Sequence, residues 1–334
     1  MRLANKLTLL LAAIAWLHPG SAVADLRNPN TDWFSQAKYG VFVHFLPSGD
    51  GFEKRVNEFD VDAFAQDCQE AGAAYVTFTL GQDGYYCSPN ATYERFAGYA
   101  VGQRCSTRDL PMELHAALGK KGIKLMLYIN GDVPVSDEKA AKGLGATERG
   151  TDKSNWAFND TLVERWAAVM GEWADRYGDK VAGWWVDGCY SYNGYTTNYA
   201  QVFCKALKHG NAASIVAVNP GVGMGKIADC QDYTAGESDD QFQFNTMDQV
   251  CTNRWTAGVQ WHELAYLGSG WGSGDPRFTA DQVIRHLKQD VVANGGVFTM
   301  DVRLNRDFTG DRIHPTHLEL LRACLKIKSF SQTA

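Results

Sequence analysis

The apolar positions along this chain form short runs that alternate with longer segments of helical periodicity. Short apolar runs bounded by turn residues predict buried strands, and apolar residues spaced three and four apart predict amphipathic helices. The predicted strands cover residues 41–45, 74–80, 124–129, 182–186, 214–218, 228–234, 258–264 and 297–302. The predicted helices cover residues 61–71, 112–121, 160–177, 198–209, 280–293 and 316–328.

This alternation of strands and helices predicts an α/β fold. Strand–helix units repeated about eight times indicate parallel strands joined by right-handed crossovers. With 334 residues, 45% of them hydrophobic, the chain can bury a substantial core, and no low-complexity tract divides it. We therefore expect a single-domain (β/α)₈ TIM-like barrel, with a doubly wound open sheet as the alternative.

The amino terminus has the pattern of a secretory signal peptide. Arg2 and Lys6 flank the apolar run 7–17, and small residues follow up to Ala24. The run is too short to span a membrane, and no later stretch approaches the roughly 18 apolar residues that a span requires. We expect residues 1–24 to be removed after Ala24 and residues 25–334 to form the exported catalytic domain, secreted or periplasmic.

The cysteine content fits an oxidising compartment. All eight cysteines lie beyond residue 24, which favours disulfide bonds, although their connectivity cannot be deduced from sequence. Cys87–Cys105 and Cys230–Cys251 are the preferred pairs.

Charge and motifs narrow the possible partners. The formal net charge of −6 and the absence of a Lys/Arg run argue against nucleic acid or an anionic membrane. A C-x-x-C pair, an H-E-x-x-H motif, a glycine-rich phosphate loop and a G-x-S-x-G elbow are all missing. We expect no metal and no cofactor, although metal hydrolysis through His44, Asp83 and His262 stays open as a weaker possibility.

Polar side chains gather where the predicted strands end. Asp187 follows the apolar run 183–186 and precedes a glycine, which is where the active sites of parallel barrels are built. Capping of the next helix is the alternative role for one such aspartate. The other candidates are His44, Gln82, Asp83, Asn130, Asp132, Asn219, Glu237, His262 and Glu263. Two carboxylates in one cleft predict glycoside hydrolysis.

The sequence resembles the α-L-fucosidase glycoside hydrolases. The resemblance rests on the segments 32–44 (DWFSQAKYGVFVH) and 185–188 (WVDG), and more weakly on 71–85, 232–237, 269–272 and 295–296. It implies that Asp187 is the nucleophile and Glu237 the acid/base of a retaining glycosidase. It also implies that His44 binds the sugar, that Trp185 lines the site and that Trp271 packs near the methyl group of the sugar.

The chain departs from the family pattern at several positions. Gly81-Gln82 stands where the family has His-His, and Trp261-His262 stands where it has W-E, with Glu263 displaced by one residue. Gln82 and His262 therefore join the candidates for positioning the sugar, and Glu263 competes with Glu237 as the acid/base. No β-sandwich is expected after the barrel.

The resulting expectation is an exported retaining glycosidase that acts on fucosyl or fucose-like terminal sugars of a glycan. One alternative is a secreted carbohydrate-binding barrel without turnover. Another is a glycosidase for a different sugar, such as a galactoside or a sulfated fucoside.

Overall fold

Parallel strands in one curled sheet form the centre of the molecule. The computed structural model describes residues 28–132, 134, 137–149, 152–238, 251–305 and 311–327. The predicted signal peptide, residues 1–24, lies outside these ranges. The sheet consists of seven strands: β1 Tyr39–Val43, β2 Tyr75–Thr79, β3 Lys124–Asn130, β4 Gly183–Asp187, β5 Ile215–Val218, β6 His262–Tyr266 and β7 Val297–Val302.

Every neighbouring pair in this sheet is parallel, in the order β6-β7-β1-β2-β3-β4-β5. The segment 232–238 lies between β5 and β6. At one side the amide of Asp232 donates to Val216 O, and at the other the amide of Leu264 donates to Gly236 O. This segment takes the eighth place and completes the ring, as the prediction of a (β/α)₈ barrel requires.

Helices pack around the outside of the sheet. They are α1 Asp32–Ala37, α2 Phe52–Glu58, α3 Val61–Glu70, α4 Ala91–Ala97, α5 Leu110–Gly119, α6 Glu138–Leu144, α7 Asp160–Tyr177, α8 Thr197–Leu207, α9 Ala280–Arg285 and α10 Pro315–Lys326. None of the helices in the described ranges is long and apolar enough to cross a membrane.

The longest of the described helices, α7, shows why these segments become helices. The side chain of Asn159 accepts a hydrogen bond of 3.0 Å from the amide of Leu162 and so caps the first turn. The residues buried on one face recur three and four positions apart, at Leu162, Trp166, Val169, Met170 and Trp173. This apolar stripe holds α7 against the barrel wall.

Two cores result from the alternation of side chains along the strands. One set of side chains faces the helices, and the other fills the barrel interior together with Phe34 from α1. The interior cluster contains Phe42, Tyr75, Met126, Tyr128, Trp185, Ile215, Ala217, Tyr233, Ala235, Leu264 and Val297. The interior is therefore a packed core.

Two strand predictions were wrong in detail. The predicted strand 228–234 is irregular, with one isolated bridge between Tyr233 and Gln260, because the Asp232 side chain accepts the Val216 amide in place of a backbone carbonyl. The predicted strand 258–264 starts late, since Val259–Gln260 belongs to a small hairpin and β6 begins only at His262.

Both preferred disulfides were also wrong. Cys230 pairs with Cys204 on α8, whose Cα lies 6.1 Å away, within the range that a disulfide spans. Cys251 is a buried thiol, as are Cys87 and Cys105. Tyr86 pairs with Cys105 in an isolated bridge, so the side chain of the next residue, Cys87, is directed to the opposite face.

Candidate active site

A pocket of about 40 Å³ opens at the carboxyl end of the barrel. It is lined by Phe42, His44, Tyr128, Trp185, Asp187, Glu237, Leu264 and Trp271. Five of the seven predicted site residues, His44, Trp185, Asp187, Glu237 and Trp271, therefore share this one pocket. They come from different strands and loops, which the topology brings to one end of the barrel.

Asp187 is held by two hydrogen bonds at the end of β4. The hydroxyl of Tyr128 donates to its Oδ2 at 2.9 Å, and the Nδ2 of Asn219 donates to its Oδ1 at 2.8 Å. Burial and the charge of Asp187 raise the pKa of Tyr128 well above its usual value, so the phenol keeps its proton and remains a donor. The carboxylate is thus fixed in orientation at both oxygens.

Glu237 reaches the same pocket from the segment that completes the barrel. Its backbone pairs with Leu264 in an isolated bridge. Glu237 directly follows Gly236 and lies two residues after Ala235, whose side chain faces the barrel interior. Its Oε2 accepts a hydrogen bond of 2.6 Å from Nδ2 of Asn219, the nitrogen that also binds Asp187. One buried amide therefore connects the two carboxyl groups.

His44 is oriented by an aspartate at the end of β7. Its Nδ1 lies 2.7 Å from Oδ1 of Asp301, which is 1% exposed. Because Asp301 can only accept, Nδ1 carries the hydrogen and Nε2 is left as the other polar atom of the ring. The second oxygen of Asp301 accepts the amide of Gly272, whose φ of +57° and close approach to His44 favour glycine.

Aromatic rings form the walls of the pocket. Trp185 stacks on Tyr128 with ring centroids 5.5 Å apart, and its Nε1 donates to Ala235 O at 3.0 Å. On another side, the ring of Trp271 contacts His44 at 5.9 Å and Tyr266 at 4.9 Å. These contacts fix flat apolar surfaces beside the carboxyl groups.

Two predicted site residues do not line the pocket. His262 is the first residue of β6 and so lies near the amino end of the barrel, where its ring nitrogens contact Thr234 O at 2.9 Å and Thr299 Oγ1 at 2.6 Å. Burial lowers its pKa to about 4. Gln82 lies in a short hairpin after β2 and is half-buried outside the pocket lining.

Glu263 faces away from the pocket. It is fully buried, and its Oε1 lies 3.0 Å from Nε2 of His286 in the segment that follows α9. Residues 262 and 264 point into the barrel, so residue 263 must point outward. The competitor for the acid/base position is therefore part of the outer core.

A third carboxyl group, Asp132, lies close to Asp187. A Cβ placed on Gly188 would lie 2.6 Å from Cγ of Asp132, so only glycine fits beside it. Asn130 donates to its backbone oxygen at 2.7 Å. Burial, and then the charge of Asp187, raises the pKa of Asp132 to about 7.

Two residues of this site, Tyr128 and Asp301, were missed as functional candidates. Asn219 was noted as a strand end but given no role. The alternation of side chains along a strand could have identified Tyr128 and Asp301. Each lies two residues from a side chain that faces inward, Asn130 in β3 and Thr299 in β7, so each faces inward as well. Among the described residues, no group of three or more His, Cys, Asp or Glu side chains could hold a metal ion.

Comparison with known proteins agrees with this architecture. The sequence model of the α-L-fucosidase family matches residues 50–326. The chain belongs to the α-L-fucosidase family. No match is found among curated proteins.

Similar folds occur in solved glycoside hydrolases. The endo-fucoidan hydrolase MfFcnA4 of glycoside hydrolase family 107 superposes with a TM-score of 0.65 at 16% identity, over 88% of this chain and 53% of that one. An α-L-fucosidase of family GH29 from Bacteroides thetaiotaomicron gives 0.62 at 15% identity, over 89% and 73%. The endo-fucoidan hydrolase P5AFcnA gives 0.67 at 13% identity, over 88% and 92%.

At these identities the similarity shows the shared barrel fold. The chain spans only about half of MfFcnA4, the first of these structures.

Proposed function

We propose that this protein is an exported retaining glycosidase that releases a terminal fucosyl or fucose-like sugar from a glycan. The observation that carries the proposal is the placement of Asp187 and Glu237 in one pocket, on the same Asn219 nitrogen. Membership of the α-L-fucosidase family supports a carbohydrate substrate.

The separation of the two carboxyl groups supports retention of configuration. Both bonded oxygens lie within 2.8 Å of one nitrogen, so they are no farther apart than twice that distance. Retaining glycosidases keep their carboxyl groups roughly 5–5.5 Å apart, whereas inverting enzymes need roughly 6.5–9.5 Å to admit a water molecule. The two oxygens bound by Asn219 are closer together than the separation of an inverting pair, which supports a retaining mechanism.

Asp187 is the proposed nucleophile. Its two hydrogen bonds, one to each carboxylate oxygen, hold the side chain in one orientation. It would attack the anomeric carbon and form a glycosyl-enzyme intermediate while Glu237 protonates the departing oxygen. Glu237 would then remove a proton from the attacking water, and the sugar would leave with its original configuration.

His44, Trp185 and Trp271 are the proposed sugar-binding residues. The Nδ1 bond to Asp301 fixes the His44 ring, which leaves Nε2 to meet a sugar hydroxyl. The indoles of Trp185 and Trp271 offer apolar surface to the C–H faces of the sugar and to a methyl group. Gln82 and His262, outside the pocket lining, are not part of this proposal.

Export is proposed from the signal-peptide pattern of residues 1–24, and the Cys204–Cys230 disulfide supports it, because such bonds persist in oxidising compartments.

A panel of nitrophenyl glycosides tests the proposal. We expect release from the α-L-fucoside with first formation of the same anomer, followed by ¹H NMR, and no release by Asp187→Ala. Preference for a galactoside or a sulfated fucoside would keep the glycosidase and change the sugar. Binding of the sugars without turnover of any of them would indicate a carbohydrate-binding barrel.

A further inference from the structure

Two stacked tyrosines lie on the loop that follows the proposed nucleophile. The rings of Tyr190 and Tyr192 are 5.1 Å apart at the centroids and inclined by only 11°. Tyr192 is 60% exposed, which is unusual for a large aromatic side chain. We call this pair the tyrosine platform. Neither tyrosine lines the pocket, and neither has a role in the mechanism proposed above.

The platform is fixed to the catalytic centre by a short series of contacts. A Cβ placed on Gly221 would lie 3.6 Å from Cε1 of Tyr190, so the ring rests against this glycine. The amide of Gly221 donates at 3.1 Å to Oδ1 of Asn219, the residue that binds both Asp187 and Glu237. Tyr190 is three residues beyond Asp187, so their Cα atoms are at most about 11 Å apart.

The loop that carries the platform is ordered by its own backbone. The carbonyl of Tyr190 accepts the amide of Asn193 at 3.0 Å, and the carbonyl of Asn193 accepts the amide of Phe158 at 2.9 Å. The 3₁₀ turn Ser191–Asn193 is thereby attached to the segment before α7. A surface held in this way offers contact area at a low entropic cost on binding.

The size of the pocket indicates what the platform contacts. The free space of about 40 Å³ beside the two carboxyl groups is too small to hold more than one sugar. The rest of a substrate must therefore lie outside the pocket, and the exposed ring of Tyr192 is a flat apolar surface on the loop that follows Asp187. The C–H face of a pyranose ring is complementary to such a surface.

We propose that Tyr190 and Tyr192 form the subsite for the leaving-group sugar, so that the substrate is an oligosaccharide with a pyranose ring next to the cleaved bond. The inference rests on the proposed function and deepens it.

Substrates with and without a ring in the leaving group test the subsite. The variants are Tyr192→Ala, Tyr192→Phe, which keeps the ring, and Val202→Ala, a control truncation at another exposed position. The substrates are α-L-fucosyl fluoride, whose fluoride leaving group has no ring to stack, and the trisaccharides 2′-fucosyllactose and 3-fucosyllactose.

We expect Tyr192→Ala to lower kcat/KM on the cleaved trisaccharide about fivefold or more, and to leave the value on the fluoride within twofold of the wild type. Tyr192→Phe and Val202→Ala should behave as the wild type does on both. An equal loss on the fluoride and the trisaccharide, or no loss on either, would overturn the subsite.

Failure of the proposed function would give a different result. If the wild type hydrolyses none of these substrates, isothermal titration with the trisaccharides replaces the rate measurement. Binding that Tyr192→Ala weakens and Tyr192→Phe preserves would retain the platform as a glycan site without turnover. Binding that is absent, or equal in all variants, would remove the platform proposal as well.

Discussion

Glu237 and Glu263 lie on opposite sides of the same barrel wall. Glu237 pairs through its backbone with Leu264 and lines the pocket, whereas Glu263, the neighbour of Leu264, contacts His286 outside the ring. The sequence around these residues left both as candidates for the acid/base. Their orientations give them different expected effects when they are replaced.

Glu237→Ala should lose much more rate on a fucosylated oligosaccharide than on a nitrophenyl fucoside, because a nitrophenolate can depart without a proton. General acid–base assistance is typically worth roughly 10²–10⁴-fold, so the difference between the two substrates should be easy to resolve in kcat/KM. Glu263→Ala is the matched control. Since it breaks a buried pair with His286, it should lower the midpoint of thermal unfolding and leave the ratio of the two rates unchanged. Leaving-group dependence in the Glu263 variant alone would reverse the assignment.

Asp187→Ala should reduce hydrolysis by about 10³-fold or more, since the covalent step loses its nucleophile. The vacated space should admit a small anion, and azide should restore part of the turnover and yield a fucosyl azide. Asp175→Ala, at an exposed aspartate that pairs with His209, serves as the control. Full activity in the Asp187 variant would exclude the residue from the mechanism.

Much of the barrel could be predicted because the physical signal is local. The helix 160–177 and the strand 297–302 were predicted with the bounds that the structure has. Both have clear boundaries, Asn159 as a helix cap in one case and Gly295-Gly296 before an apolar run in the other. His44, Asp187 and Glu237 were likewise predicted at strand ends, and all three line one pocket.

The parts that could not be predicted depend on contacts between distant segments. His262 looked like a strand end because the predicted strand began four residues too early, and the hairpin at Val259–Gln260 has no marker that separates it from a strand. The partner of Cys230 was missed because α8 brings Cys204 to it only in the folded barrel. Asn219 has no motif, and its role follows only from the meeting of β5 with the segment 232–238.

Asp301→Asn should weaken sugar binding through His44. Asp301 now accepts both the ring Nδ1–H of His44 and the amide of Gly272. An asparagine has one acceptor oxygen, so one of these donors would face the NH₂ group in either orientation. We expect KM to rise about tenfold or more, with a smaller change in kcat. Steady-state kinetics on the nitrophenyl fucoside measure both values, and thermal unfolding checks that the fold survives. An unchanged KM would mean that the His44 ring needs no such support.

Asp132 makes the stability of the fold depend on pH. Its pKa is about 7 in the folded protein, against 3.8 for an ordinary aspartate, because burial and the charge of Asp187 disfavour ionisation. Below pH 3.8 Asp132 is protonated in both the folded and the unfolded protein, so its shifted pKa costs the fold no stability. Between pH 3.8 and about 7 the residue ionises in the unfolded chain but stays protonated in the folded protein, so the free energy of unfolding falls as the pH rises.

Asp132→Asn removes this loss of stability. A shift of one pKa unit corresponds to about 1.4 kcal/mol. Because Asp132 is partly exposed, solvent screening reduces the stability change below what the whole pKa shift would give. The variant should therefore gain about 1–3 kcal/mol relative to the wild type between pH 5 and pH 8, measured as the free energy of unfolding in urea. Asp62→Asn, at an exposed residue of α3, should show no such difference. An equal free-energy change for Asp132→Asn at the two pH values would show that Asp132 ionises in the folded protein as it does in water.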